Sequence, residues 1–379
     1  MAISSAGNKA LERNGSISEI VKGIQWSSIV IGRAGRVSPG EIIFFMDQLS
    51  LMLETGTPVN KSIQAISFQV KNKTFKSILK EIEQDIEEGR LLSDAMAKHP
   101  HAFSPVYTSM IRAGESGGFV KEMLERIVTL EEKQQKLLAT VRAALFYPAF
   151  LTLFAVSVVL FIVVYVFPKF GDMFAEIYDS LPFTTKILMA ASHLLTSYWH
   201  LILFFIGMCW FTAYRFMITD KGRMYIDLLK LRLPLFRNFF MRIYISRLMR
   251  TLGSLISSNV SILDSLTISA GAIGNKVFAK LIDKIRRSVE DGKPLSQPII
   301  DSPFFPETVK QMIRTGEDTG TLHKVMPRLA DYYDEEIERH VQRTTTIMEP
   351  ILLVVVGGII GVIVISLILP IFKLTKSIH

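Results

Sequence analysis

Cysteine is almost absent from this chain of 379 residues, in which Cys209 is the only one. A single cysteine excludes an intrachain disulfide and any zinc or iron–sulfur site built from several cysteines. Catalytic signatures are missing as well, since the sequence contains no GxxxxGK[ST] phosphate loop, no HExxH pair and no nucleophile elbow. We therefore expect no enzymatic activity and no cofactor.

Charged side chains are absent from three long stretches of the sequence. About 20 apolar residues are needed to cross the hydrocarbon core of a bilayer, and each stretch is long enough. The centres of these stretches also lack the Asp, Glu, Lys or Arg residues that mark a proton or ion pathway. We predict transmembrane helices at residues 148–169, 193–215 and 349–371.

The positive residues predict the orientation in the membrane. Nine Lys and Arg residues lie between Arg215 and Arg250, opposed only by Asp220 and Asp227. The positive-inside rule places this segment in the cytoplasm, where anionic lipid explains its charge better than nucleic acid does. Three spans then put the amino terminus in the cytoplasm and the carboxyl terminus in the periplasm. Short periplasmic segments are predicted at 170–192 and, as the tail, at 372–379.

The sequence contains an internal duplication at an offset of 202 to 203 residues. The apolar face of a helix is written twice, because Ile42, Phe45, Met46, Leu49, Met52 and Leu53 align in order with Ile245, Leu248, Met249, Leu252, Leu255 and Ile256. Pro148 aligns with Pro350 where a span begins, and Pro168 aligns with Pro370 where it ends. The repeated unit is therefore a cytoplasmic domain followed by a transmembrane helix, and the middle span returns the second copy to the cytoplasm.

Helix signals dominate both copies, so the fold class predicted is an all-α membrane protein with two homologous cytoplasmic bundles of about six helices each and three transmembrane helices. The bundles are predicted at 38–147 and 216–348. Ser38 to Glu41 forms a capping box with proline at the first helical position. A second helix is predicted over 61–88, and a long helix is predicted to run from Val120 into the membrane. Residues 1–37 are predicted to form a short amphipathic helix and a linker.

An Arg-x-Gly-Glu-x-x-Gly motif occurs once in each copy. Its residues are Arg112, Gly114, Glu115 and Gly118, and Arg314, Gly316, Glu317 and Gly320. One interpretation is a structural corner, in which glycine ends a helix and glutamate lies at the positive amino end of the next. The other is that the two glutamates face a partner or a cation.

The duplicated domain, its motif and the three spans together resemble the type II secretion F family, the inner-membrane platform proteins of type IV pili and type II secretion systems, often called PilC or GspF. The resemblance covers roughly Gly40 to Leu374. It implies a homo-oligomer that contacts other inner-membrane platform components and membrane lipid. It also implies that a hexameric assembly ATPase acts on the cytoplasmic domains, so that pilins or pseudopilins are inserted into a filament. Calcium has been described in the first domain of some members, which makes Glu115 a weak candidate ion ligand.

Three sets of residues are expected to carry this role. The motif residues would form partner contacts, Pro148 and Pro350 would act as hinges at the membrane, and Gly357, Gly358 and Gly361 would pack against another helix. A type IV pilus is preferred over a secretion system because the amino-terminal segment departs from that of longer family members. The alternative functions are an oligomeric small-solute channel or permease, which the polar residues of the first span support poorly, and an enzyme.

Overall fold

The computed structural model describes residues 37–171, 174, 178 and 181–377. Within these ranges the chain is helical and contains no β-strand, which confirms the predicted all-α class. The described residues fall into two compact units. One unit extends to Leu137 and includes Asp227–Ile337, and the other comprises Leu138–Ile226 and the chain from Glu338 onward. The helix and linker predicted over 1–37 lie outside the described residues, except for Val37.

The first domain has six helices, as predicted: α1 (Pro39–Glu54), α2 (Val59–Gln69), α3 (Lys73–Glu87), α4 (Leu92–Ala97), α5 (Pro105–Gly117) and α6 (Val120–Phe161). The predicted capping box at the start of α1 is confirmed. The Glu41 backbone N–H donates to Ser38 Oγ over 3.2 Å, and the Ser38 N–H donates to Glu41 Oε2 over 2.7 Å. Two orphan amides of the helix are thereby satisfied.

The prediction of one continuous helix over 61–88 is wrong. Val70 is extended and α2 ends before it. Asn72 then caps α3, because its side chain accepts hydrogen bonds from the backbone N–H groups of Thr74 (3.0 Å) and Phe75 (3.3 Å). A side-chain oxygen that satisfies two amides at once stabilises a new helix start more than it stabilises helix continuation.

Aromatic side chains fill the centre of the first domain. Phe45, Phe75 and Phe103 are almost fully buried, and their ring centroids lie 5.8 to 6.3 Å apart. The arrangement is partly repeated in the second domain, where Phe278 and Phe305 are buried at the positions equivalent to Phe75 and Phe103, 6.3 Å apart. Each domain therefore has a core of its own.

Two helices follow the first domain and its apolar extension, α7 (Phe183–Ser197) and α8 (Trp199–Ile218). The prediction of a loop over 170–192 therefore fails from Phe183 onward, where the chain is helical. The predicted span 193–215 is also interrupted, because Tyr198 leaves the helical conformation and separates α7 from α8. The continuous apolar helix is α8.

The rest of the chain forms seven helices: α9 (Asp220–Arg232), α10 (Pro234–Ser257), α11 (Ile262–Ala272), α12 (Lys276–Glu290), α13 (Ser296–Ile300), α14 (Glu307–Asp318) and α15 (Leu322–Ser377). Helices α10 to α14 and the first part of α15 repeat the first domain in order. Asn275 caps α12 as Asn72 caps α3, by accepting from the N–H groups of Val277 (2.9 Å) and Phe278 (3.0 Å).

Three helices of the described chain are long and apolar enough to cross a membrane, as predicted. The first is α6, which continues through a π-helical turn (Ile162–Val166) and a 3₁₀ turn (Phe167–Phe170). The second is α8. The third is α15, which is helical as far as Ser377 and so extends beyond the predicted boundary at residue 371. Helices α6 and α15 pass through Pro148 and Pro350 without interruption.

Candidate functional site

The glutamate of each motif binds backbone amides at the start of a short helix. In the first domain, Glu115 Oε1 accepts from the Leu92 N–H over 2.6 Å and Oε2 accepts from the Ser93 N–H over 3.3 Å. Helix α4 has only six residues, and the residue before it provides no side-chain cap. The carboxylate supplies that cap from α5 and also lies at the positive end of the helix dipole.

The second domain repeats this arrangement. Glu317 Oε1 accepts from the Leu295 N–H over 2.5 Å, and Oε2 accepts from the Ser296 N–H over 2.8 Å. The interpretation of the motif as a corner, in which each glutamate lies at the amino end of the following helix, is therefore wrong about the glutamates. Each glutamate instead caps the short helix that precedes its own, 22 or 23 residues earlier in the chain.

The glycines of the motif shape the corner between two helices. Gly118 ends α5 in the left-handed conformation, with a φ of 77°, and Gly320 has a φ of 67°. A Cβ atom on Gly114 would lie 2.8 Å from Met123 Cγ and 3.0 Å from the backbone Cα of Val120, so glycine allows α5 to approach α6 closely. At Gly316 the nearest atom is Val325 Cγ2, at 3.1 Å.

The arginines of the two motifs differ in their contacts. Arg112 Nη2 lies 2.6 Å from Asp94 Oδ1, and both side chains are about half exposed. In the second copy, Gln297 occupies the position equivalent to Asp94, and Arg314 is exposed. A surface ion pair of this kind contributes little to stability. Both arginines are therefore exposed at the surface, and only Arg112 has this ion pair with the preceding short helix.

Glu115 is poorly placed to bind a cation. Both of its carboxylate oxygens already accept hydrogen bonds from backbone amides. In the part of the chain that the structure describes, no three His, Cys, Asp or Glu side chains come together in a group that could hold a metal ion. A hard cation such as calcium needs six to eight oxygen ligands.

A cluster of charged side chains joins α6, the last helix of the first domain, to α15, the last helix of the second. The sequence patterns did not predict this cluster. Lys133 Nζ of α6 lies 2.8 Å from Asp331 Oδ1 of α15, and the same oxygen lies 3.1 Å from Arg250 Nη1 of α10. Arg250 also pairs with Asp334. Burial alone would raise the pKa of Asp331, but the hydrogen bonds from Lys133 and Arg250 hold it below its ordinary value.

Apolar contacts support this junction between the domains. Leu255 and Ala272 of the second domain belong to the apolar core of the first. Arg126 of α6 also donates to the carbonyl of Ser257. The sequence held no signal for these contacts beyond the charges themselves, because residues about 200 positions apart must first be brought together by the fold.

In the unit that contains the apolar helices, a hydrogen bond joins the residues that precede Pro148 and Pro350. Tyr147 Oη donates to Glu349 Oε1 over 3.3 Å. Gly357 and Gly358 are exposed, and Cβ atoms built on Gly357, Gly358 and Gly361 would meet nothing within 4 Å. Packing within the chain therefore does not require glycine at these three positions.

The family model of the type II secretion system (T2SS) protein F matches residues 45–168 and 248–370. These two matches together cover most of the chain and coincide with the two copies of the repeat. The chain belongs to the type II secretion system protein F family. This confirms the resemblance on which the sequence analysis relied.

Relatives of the chain are described either as type IV pilus assembly proteins or as type II secretion system proteins F. The chain is 34% identical to a type IV pilus assembly protein PilC of Thermus thermophilus, over 88% of this chain and 82% of that protein. It is 32% identical to a PilC of Myxococcus xanthus, over 93% and 84% of the two chains. It is 30% identical to a type II secretion system protein F of Aeromonas hydrophila, over 92% and 90%.

The capping role of the two glutamates can be tested by substitution. We expect Glu115→Ala and Glu317→Ala each to destabilise the protein by about 1.5–3 kcal/mol, since each removes hydrogen bonds from amides to a charged group. Amide exchange should increase at Leu92 and Ser93 in the first variant and at Leu295 and Ser296 in the second. Exchange measured by mass spectrometry on the full-length protein in detergent gives this local readout.

Glu132→Ala is the matched control, because Glu132 is an exposed glutamate on α6. It should change neither the exchange of these amides nor the melting temperature by a measurable amount. If Glu115→Ala behaved like Glu132→Ala, the hydrogen bonds to α4 would not be the role of this residue.

Proposed function

We propose that this protein is a non-enzymatic inner-membrane platform for assembly of a type IV pilus or a type II secretion pseudopilus, with the type IV pilus preferred. Family membership supports a role in this class of machine. The preference for a pilus is supported by the PilC relatives of Thermus thermophilus and Myxococcus xanthus, which are slightly more similar to this chain than the secretion protein of Aeromonas hydrophila is.

The observation that carries the mechanism is that the last helix of each cytoplasmic domain continues directly into an apolar span. Helix α6 runs from Val120 to Phe161, and α15 runs from Leu322 to Ser377. In the aqueous domains the two helices are joined through Lys133 and Asp331, and in the apolar unit they are joined through Tyr147 and Glu349. A force applied to one domain would therefore reach both spans, and Pro148 and Pro350 are positions where such helices bend at low cost.

Each partner has a place in this proposal. A hexameric assembly ATPase acts on the first cytoplasmic domain, and pilins or pseudopilins are moved by the spans toward the filament. The amino terminus lies in the cytoplasm and the carboxyl terminus in the periplasm. The working unit is a homo-oligomer that contacts other platform components, and Gly357, Gly358 and Gly361 supply its helix contacts. No bound cofactor or metal takes part.

Deletion of the gene in its own bacterium tests the function. We expect the deletion strain to lose surface filaments in electron micrographs while exported proteins still reach the medium, and the intact gene should restore the filaments. Loss of export with filaments intact would assign the protein to type II secretion. If neither process changed in a strain without a second platform gene, the proposal would fail and the channel alternative would gain support.

The charge cluster between the domains gives a sharper test of force transmission. Asp331→Arg places a third positive charge beside Lys133 and Arg250, and such juxtaposition of like charges costs about 2–4 kcal/mol of domain docking. We expect far fewer filaments per cell from the complemented strain, with normal amounts of protein in the membrane.

Asp318→Arg makes the same change of charge at an exposed residue of α14 and serves as the control. It should support filament assembly normally. Normal filament numbers with Asp331→Arg would show that the junction between the domains is not needed for assembly.

The three glycines of α15 can be tested in the same strain. Gly358→Leu should leave folding intact, because no atom of the chain lies within 4 Å of a Cβ built there. We expect it to change the oligomer size measured by light scattering and to reduce filament assembly, since a large side chain blocks close helix approach.

Gly207→Leu on α8 is the control, because this position is equally open within the chain. If Gly358→Leu altered neither oligomer size nor filament number, close packing at this part of the span would have to be abandoned as part of the mechanism.

A further inference from the structure

Helix α9 exposes an apolar side and buries a charged residue, the opposite of an ordinary surface helix. Met224, Tyr225 and Leu229 are between 41% and 63% exposed, and Leu228 is partly exposed. These residues occupy one continuous side of the helix, with the exposed Arg232 among them. The exposed Leu233 follows directly after the helix ends. A helix that faced water on this side would carry polar residues there.

The opposite side of α9 packs against the second domain through charged residues and Leu231. Asp227 is 8% exposed and accepts a hydrogen bond from the backbone N–H of Lys276 over 3.0 Å at the start of α12. Lys230 pairs with Asp227, and Leu231 belongs to the core of the second domain. The exposed apolar side therefore cannot turn inward without breaking these contacts.

A compact corner fixes how α9 leaves the transmembrane helix α8. Helix α8 ends at Ile218 and α9 begins at Asp220. Thr219 is extended between them, and its Oγ1 accepts from the Gly222 N–H over 3.1 Å. A Cβ atom on Gly222 would lie 1.9 Å from the carbonyl oxygen of Phe216, so glycine is required for this approach. The start of α9 is thereby held against the end of a membrane span.

The exposed charges around α9 are positive. Arg215 at the end of α8, Arg232 at the end of α9 and Arg237 in α10 are all exposed. The structure describes the side chain of one acidic residue in α9, Asp227. That side chain faces the second domain, where it accepts from the Lys276 N–H. Exposed apolar side chains flanked by arginine match a layer of anionic lipid headgroups above hydrocarbon.

We propose that α9 is an interfacial helix that lies in the membrane surface where α8 emerges, with Met224, Tyr225 and Leu229 in the acyl boundary and Arg232 and Arg237 at anionic headgroups. A lipid surface is favoured over a second protein because only Thr219 separates α9 from a membrane span and because exposed arginines flank its apolar side.

Spin labels on the full-length protein test this proposal without reference to pilus assembly. Tyr225→Cys and Leu229→Cys are each made in a Cys209→Ser background, labelled with a nitroxide and reconstituted into vesicles of phosphatidylethanolamine and phosphatidylglycerol. Collisions of the label with oxygen report hydrocarbon, and collisions with a water-soluble nickel chelate report water. Phe205→Cys on α8 gives the lipid reference, and Gln311→Cys on α14 gives the aqueous reference, since both residues are exposed.

We expect the ratio of oxygen to nickel collisions at positions 225 and 229 to be several-fold above that at Gln311→Cys and to approach that at Phe205→Cys. A ratio equal to that at Gln311→Cys would overturn the proposal. Exclusion of both reagents, together with spin–spin broadening, would show that a second copy covers this side, and would overturn it as well.

A second experiment, with variants that remove positive charge, distinguishes the contact with headgroups from the insertion of apolar side chains. In the same vesicles, Arg232→Gln and Arg237→Gln should each increase the water-exposed population of the label at 229 by about fivefold, because a basic residue near an anionic surface contributes about 1 kcal/mol. Lys310→Gln, at a position remote from α9 in the sequence, should have no effect. Equal behaviour of all three variants would contradict the part assigned to the arginines.

Discussion

The structure depends on one constraint. The last helix of each domain must pack into the core of a domain in water along its first part and expose apolar side chains to lipid along its later part. The first part of α6 packs Met123, Leu124 and Ile127 into the core of an aqueous domain. Its later part exposes Phe150 and a series of further apolar side chains that water would not tolerate. The same helix thus contributes to the core of a domain and, further along, forms an apolar span, whose backbone polar groups must be hydrogen-bonded within the helix.

Apolar periodicity, uncharged stretches and the duplication predicted the elements whose sequence pattern is local or repeated. The two six-helix domains, their repetition and the three apolar helices follow from such patterns. The part of α7 before residue 193 escaped prediction because its fully buried positions are Thr185 and Ser192, and Thr185 donates to the carbonyl of Ser366 over 3.0 Å. The apolar residues Leu188 and Met189 are only partly buried in the cluster that contains Phe167, so the apolar pattern of this part is weak. The break at Asn72 was missed for a related reason, since apolar residues continue at helical spacing on both sides of the cap.

The motif shows what local sequence can and cannot reveal. Its glycines could be read directly, because a left-handed residue at the end of a helix is a local requirement. The role of Glu115 could not be predicted from the local sequence, because the amides that it binds lie 22 and 23 residues earlier in the chain. Its repetition in Glu317 is informative for the same reason. A short helix without a cap of its own needs a carboxylate from elsewhere in both copies, so this part of the duplication is explained by folding before any partner is considered.

The two copies differ at the far ends of their apolar helices. Pro168 and Pro370 align in sequence, yet the chain before Pro168 widens into a π-helical turn whereas α15 stays α-helical through Pro370. A π turn shifts the register of the residues that follow it. Here Phe167 and Phe174 are buried together with Ile363 of α15. The order of the helices and the caps on them are therefore repeated in the two domains, whereas the ends of the two apolar helices differ.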